Sequence, residues 1–154
     1  MSSFFLDTSG LIKRYLVEAG TIWMRALSDP LAAHTLAISE VALVEAGAAL
    51  AARQRGGFIT LEERDTAVGL LLRHAETEYV LAPLTRTTVD RALLLTQRHR
   101  LRGYDAVQLA TALLIHAQYL AANLPILTFV SADADLLVAA HAEGLATENP
   151  NTHP

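Results

Sequence analysis

Hydrophobic and polar positions fall into two rhythms along this chain: compact apolar runs, and longer stretches with apolar residues at helical spacing. The first run, Phe4-Phe5-Leu6, has the character of a buried strand and stops on Asp7, after which Thr8, Ser9 and Gly10 supply turn and cap chemistry. A helix is predicted from Gly10 to about Val17, and a second from Thr21 to Leu27, closed by Asp29-Pro30. Leu31 to Leu36 reads as a short strand. Ser39 caps an Ala-rich helix from Glu40 to about Gln54, closed by Gly56-Gly57. Thr60-Leu61-Glu62-Glu63 is a capping box that opens a helix to about Ala75. Tyr79-Val80-Leu81 reads as a strand bounded by Pro83, and Thr87 or Thr88 opens a helix to about Arg98. Gly103 separates that helix from one running from Tyr104 to Ala121. Pro125 introduces the strand Ile126 to Val130, and Asp135 to Glu143 forms a last helix stopped by Gly144. Residues 1–147 are expected to form a single domain and 148–154 a disordered tail. Strands alternating with helices predict an α/β fold with a mostly parallel sheet and helices on both faces.

Composition narrows the picture. With 154 residues, 52% of them hydrophobic, the chain can bury a proper core. The absence of cysteine excludes disulfides and thiolate metal sites and fits a reducing cytoplasm. No secretory signal is expected, because Asp7 interrupts the first apolar run and no basic residue precedes it. Ala106 to Ala132 contains no Lys, Arg, Asp or Glu, but Gln108, Thr111, His116, Gln118, Asn123 and Pro125 break it, so it predicts a buried helix and a strand and not a membrane span. The formal charge is −4, from 12 basic and 16 acidic residues. That balance argues against a protein that coats nucleic acid with a broad basic surface, and leaves room for a nuclease built on carboxylates. The clusters Lys13-Arg14, Arg53 with Arg55, and Arg98, Arg100 and Arg102 are either solvated helix ends or nucleic-acid contacts.

Four acids stand out. Ligands of open parallel sheets bind beyond the carboxyl ends of the strands, where Asp7 ends the first strand and Asp133 follows the last clear one. Glu45 shares its helix stripe with Val41, Ala48 and Ala49, and Asp105 shares its own with Leu101, Gln108, Leu109 and Ala112. A carboxylate on a core-facing stripe is costly unless it is paired or binds a metal. Taken singly, each acid is equally explained as a helix cap or a member of an ion pair. Taken together, converging carboxylates require a cation, and oxygen ligands without Cys or paired His favour Mg²⁺ or Mn²⁺. The six His form no ligand-like pair, and the glycines form no phosphate loop.

The ordered set Phe5-Leu6-Asp7-Thr8-Ser9, Ser39 with Glu45, Tyr104-Asp105-Ala106 with Ala110-Thr111-Ala112-Leu113, and Phe129-Val130-Ser131 with Asp133 resembles the PIN domain. Within that family it is similar to the VapC-type ribonuclease toxins of toxin–antitoxin pairs. The likeness runs from about Ser3 to Leu145. It implies a three-layer α/β/α sandwich in which Asp7, Glu45, Asp105 and Asp133 hold Mg²⁺ or Mn²⁺. It further implies cleavage of single-stranded or loop RNA, such as tRNA or rRNA, by metal-activated water. Thr8 and Ser131 carry over as supporting hydroxyls, although the last motif more often has Thr where Ser131 stands. Asp135 is either an outer metal ligand or the cap of the last helix, and Lys13, Arg14, Arg100 and Arg102 are candidate RNA contacts. The expected partners are the RNA, a second copy in a homodimer and a VapB-type antitoxin whose basic side chain blocks the acids; no membrane is implied. Two competing functions are a catalytically inactive PIN-fold binding module and a phosphatase or phosphoacceptor with Asp7 as nucleophile. The latter chemistry calls for a second acid two residues on, where Ser9 stands.

Overall fold

Successive side chains of the first strand enter two different cores, and the rest of the fold follows from that. In β1 (Ser3–Leu6), Phe5 points to one side of the sheet, where its ring stacks on Phe129 with centroids 5.6 Å apart; Leu6 points to the other side, toward Val130 and Ile38. This period of two is the geometry of a strand covered on both faces. A computed structural model describes residues 1–153. β1 lies at the centre of a five-stranded sheet of order β3-β2-β1-β4-β5, whose other strands are β2 (Thr35–Ser39), β3 (Tyr79–Ala82), β4 (Leu127–Val130) and β5 (Ala146–Glu148). Every pairing is parallel, with Ser3 opposite both Thr35 and Leu127.

One face is covered by α1 (Thr8–Leu11), α2 (Thr21–Leu27), α3 (Glu40–Arg55) and α4 (Leu61–Thr77), through Leu11, Met24, Ala46, Leu50 and Leu71. The other is covered by α5 (Arg86–Arg98), α6 (Gly103–Ala121) and α7 (Ala134–Ala142), through Leu95, Leu109, Ala110 and Leu136. The result is the expected α/β/α sandwich. Ser39 caps α3 through the Val41 N–H, and Thr60 and Glu63 form the full capping box of α4. No helix among the described residues is long and apolar enough to cross a membrane.

The differences from the sequence reading have local causes. The helix expected over 10–17 is a single turn, α1, continued by a 3-10 turn at Ile12–Arg14. The strand expected at 31–36 lies further on, because Asp29 caps a 3-10 turn at Pro30–Ala32 and Ala33 takes a left-handed φ of +55°. Thr85 caps α5 and Asp133 caps α7, each ahead of the predicted start. The tail expected to be disordered from 148 is built into the molecule: β5 ends on Glu148, a 3-10 turn follows at Pro150–Thr152, and His153 stacks on Trp23 with centroids 4.4 Å apart. Gly20 makes that docking possible. Its φ is +83°, and a Cβ there would lie 2.5 Å from the Pro150 carbonyl oxygen. Pro154 lies outside the described residues.

Candidate active site

The two central strands deliver the first pair of acids. The Asp7 N–H donates to the Val130 carbonyl (3.1 Å), which carries the β1–β4 pairing one residue past β1. Chain direction then changes, and Asp7 becomes the N-cap of α1, accepting the Gly10 N–H at 2.8 Å. Gly10 lets the turn lie against β4, since a Cβ there would stand 3.1 Å from the Val130 carbonyl oxygen. The Asp7 carboxylate is 4% exposed. It takes three more bonds: Ser9 Oγ donates to it (2.7 Å to Oδ1, 3.0 Å to Oδ2), and Ser131 Oγ donates to Oδ2 at 2.8 Å. Ser131 Oγ in turn accepts the Asp133 N–H at 3.0 Å, and Ser9 Oγ accepts the Ala132 N–H at 2.9 Å. The two hydroxyls therefore stitch the loop after β4 onto Asp7.

Glu45 arrives from α3. Thr8 Oγ1 donates to Glu45 Oε1 at 3.1 Å, and Gln108 Nε2, from α6, donates to the same oxygen at 2.8 Å. Gln108 Nε2 also donates to Thr8 Oγ1 at 3.0 Å, closing a triangle across α1, α3 and α6. Gln108 is 1% exposed and its Oε1 is buried with no partner among the described residues, an arrangement that costs about 1–3 kcal/mol. Asp133 caps α7, with Oδ1 accepting the N–H groups of Asp135 (2.9 Å) and Leu136 (3.1 Å). Asp105 lies in the first turn of α6. Asp7, Glu45, Asp105 and Asp133 line one cavity of about 240 Å³ together with Thr8, Ser9 and Gln108. Asp105 and Asp133 also line an adjoining polar trough of about 480 Å³, with Asp135, Arg100 and Arg102 along it.

Concentrating acids here has an electrostatic cost. Burial raises the Asp7 carboxyl to about 6 against the bonds from Gly10, Ser9 and Ser131, with a smaller push from Asp105. Asp105 is raised by burial, then by Asp133 and Glu45, while Arg102 opposes the shift. Three of the acids also sit at helix starts, where the backbone dipoles favour negative charge. Among the described residues no three acid or histidine side chains are drawn together tightly enough to hold an ion as they stand. The donor set nevertheless fits a hard cation. It is all carboxylate and hydroxyl oxygen and comes from four separate elements, and two of its carboxyls, Asp7 and Asp105, are pushed up by burial and by neighbouring acids.

The structure places Asp7, Glu45, Asp105, Asp133 and Thr8 around one cavity, with Ser131 bonded to Asp7 and with Asp135, Arg100 and Arg102 along the adjoining trough. Lys13 and Arg14 are corrections. Lys13 is 4% exposed and paired with Glu18 at 2.9 Å, which also holds Arg53. Arg14 is bound to Glu78 at 2.6 Å and to the Tyr79 hydroxyl at 2.7 Å. Both cations are consumed in holding the first loop to its neighbours. Glu40 stays outside the cavity, exposed in the first turn of α3, where it accepts the Leu84 N–H at 3.3 Å. Ser9 and Gln108 were not singled out by the sequence reading. The only signals available were a hydroxyl two residues after the strand-end acid, and a polar residue one helical turn after Asp105 on an otherwise apolar stripe.

No family model and no curated protein matches the sequence. Solved structures do match. VapC20 of Mycobacterium tuberculosis, described as a Sarcin-Ricin loop cleaving toxin, superposes with a TM-score of 0.60 at 18% identity, covering 93% of this chain and 96% of that one. The present chain has the PIN-like fold of the VapC structures. VapBC2 of Rickettsia felis, solved bound to a DNA fragment from their promoter, gives a TM-score of 0.60 at 13% identity, over 96% of this chain and 98% of that one. FitAcB of Neisseria gonorrhoeae gives 0.58 at 16%, over 98% and 99%. This PIN-like fold places the carboxyl ends of all five parallel strands on the side where the four acids gather.

Proposed function

We propose that this chain is a metal-dependent endoribonuclease, the toxin of a toxin–antitoxin pair, that hydrolyses a phosphodiester in single-stranded or loop RNA in the cytoplasm. The observation that carries the reading is the convergence of Asp7, Glu45, Asp105 and Asp133, from four elements, on one cavity at the carboxyl end of a parallel sheet. The likeness to VapC20, a Sarcin-Ricin loop cleaving toxin, supports the substrate class. Asp7, Glu45, Asp105 and Asp133 would hold Mg²⁺ or Mn²⁺. When bound there, such an ion would supply activation of water and stabilisation of the charge that builds on the phosphate.

The chain's own residues do the positioning. Ser9, the Gly10 N–H and Ser131 fix the Asp7 carboxylate from both oxygens, so it cannot swing. Thr8 and Gln108 both donate to Glu45 Oε1 and so hold that side of its carboxylate. Arg100 and Arg102 line the outer trough, where they offer cations to the phosphates of a strand laid along it. The antitoxin partner is inferred from the VapBC2 and FitAcB neighbours. A homodimer is supported by large apolar side chains left exposed on α3 and α5, among them Val44, Val89 and Leu93.

The test is cleavage of a mixed tRNA and rRNA substrate by the purified chain with Mn²⁺, alongside Asp105→Asn. Wild type should cut and the variant should lose at least about 100-fold in rate, as for residues that hold a charge at the reacting centre. Equal cutting by the two proteins, or none by wild type with Mn²⁺, would sink the reading.

A further inference from the structure

We infer that Gln108 is a positioning residue for Glu45: its amide donates to one carboxylate oxygen so that the other is the oxygen presented to the cavity. The inference rests on the nuclease reading above and adds to it a residue outside the acidic set.

The geometry assigns the amide's orientation. Thr8 Oγ1 gives its proton to Glu45 Oε1 and so offers a lone pair to Gln108 Nε2; the three atoms stand 3.1, 3.0 and 2.8 Å apart. Turning the amide over would set its carbonyl oxygen against the carboxylate oxygen of Glu45, two acceptors with no proton between them. The observed orientation leaves Gln108 Oε1 buried without a partner. A glutamine kept only for packing would bond from both ends of its amide or be replaced by an apolar side chain. This one is satisfied solely at the end that touches the acid, so its environment is arranged for Glu45. The contacts join residues 63 and 100 positions apart, so the orientation of Glu45 depends on α6 docking against α1 and α3.

The experiment is a calorimetric titration of Mn²⁺ into the purified chain without RNA, for wild type, Gln108→Met, Glu45→Gln and the double variant. Loss of a residue that orients a metal-binding side chain typically weakens metal binding about 10–100-fold. Gln108→Met should fall in that range while melting within a few degrees of wild type. In the Glu45→Gln background the same change should have no further effect, since its action passes through Glu45. Steady-state cleavage by Gln108→Met should show a lower kcat with KM for RNA unchanged. Wild-type Mn²⁺ affinity in Gln108→Met, an equal extra loss in both backgrounds, or a variant that does not fold would each overturn the inference. Thr8→Val breaks the same triangle from another corner and should weaken Mn²⁺ in the same direction. If Glu45→Gln also binds Mn²⁺ like wild type, the nuclease reading itself fails; if only Gln108→Met does, this inference alone fails.

Discussion

Ser131 Oγ donates to Asp7 Oδ2 at 2.8 Å, tying the loop after β4 to the acid that ends β1, 124 positions earlier in the chain. The same hydroxyl accepts the Asp133 N–H, and the Ser131 N–H donates to the Glu148 carbonyl of β5 at 3.1 Å. One residue thus sets the spacing of two acids and anchors the last strand. Ser131→Ala should cost about 1–3 kcal/mol, because it removes a donor from a buried carboxylate. It should also raise the Asp7 carboxyl further, whereas Ser131→Thr retains the hydroxyl and should stay near wild type. Urea unfolding of the three proteins at pH 7 decides it; equal midpoints for Ala and wild type would remove Ser131 from the site's support.

Acidity supplies a second expectation. The Asp7 carboxyl moves from 3.8 in the unfolded chain to about 6 in the folded one, so between those values the folded chain holds a proton that the unfolded chain has released. Asp7 therefore favours the fold fully below about pH 4, and that advantage disappears as the pH rises through about 6. By pH 7 the ionised group costs about 3 kcal/mol. Asp7→Asn should be more stable than wild type at pH 7 by up to that amount, with the gap closing toward pH 4. Metal-free unfolding midpoints across this range test the claim, and a gap that widens as the pH falls would refute it.

Glu40 and Glu45 lie on one helix and differ in everything around them. Glu45 lines the cavity with Asp7 and Asp105, while Glu40 is exposed and, among the described residues, accepts only the Leu84 N–H. Glu45→Gln should abolish cleavage with the fold intact. Glu40→Gln should cost about 0.3–1 kcal/mol, the usual value of an acid in a first helical turn, and cut normally. Parallel cleavage assays on both variants reveal the ranking, and the reverse order would move the second acid of the site.

Removing the chain after Leu145 deletes β5, the acceptor for the Ser131 N–H and the His153–Trp23 stack. The shortened chain should melt several degrees lower and cleave poorly, since it loses the outer support of the loop that carries Asp133. A truncation that melts and cuts like the full chain would show that the tail is dispensable.

Much of this was legible in the sequence, for identifiable reasons. Phe4-Phe5-Leu6 and, apart from Thr128, Leu127 to Val130 are apolar because helices cover both faces of the strands, and the Ser39 and Thr60 caps act through neighbours only a few residues away. The acids at strand ends were legible because chain reversal and ligand binding coincide there. β5 was not, since Ala146-Thr147-Glu148 is an edge strand whose identity comes from pairing with β4 and not from its own polarity. Lys13 and Arg14 looked like free cations because one of the deciding partners, Glu78, is 64 positions from Arg14. Gln108 was visible only as a polar residue on an apolar stripe, and its task emerged once α6 was set against α3.

The central place of β1 has a consequence for how the molecule comes into being. Ser3 pairs with Leu127 and Phe5 with Phe129, each 124 positions further along the chain. Closing so long a loop is entropically unfavourable and slow compared with local helix formation. The helices α3 and α4 can form from contacts close in sequence, yet Asp7 has no Ser131 to hold it and no Asp133 beside it until β1 and β4 have paired. A partly folded chain therefore carries the acids without their assembly, and the cavity they line exists only once the sheet has closed.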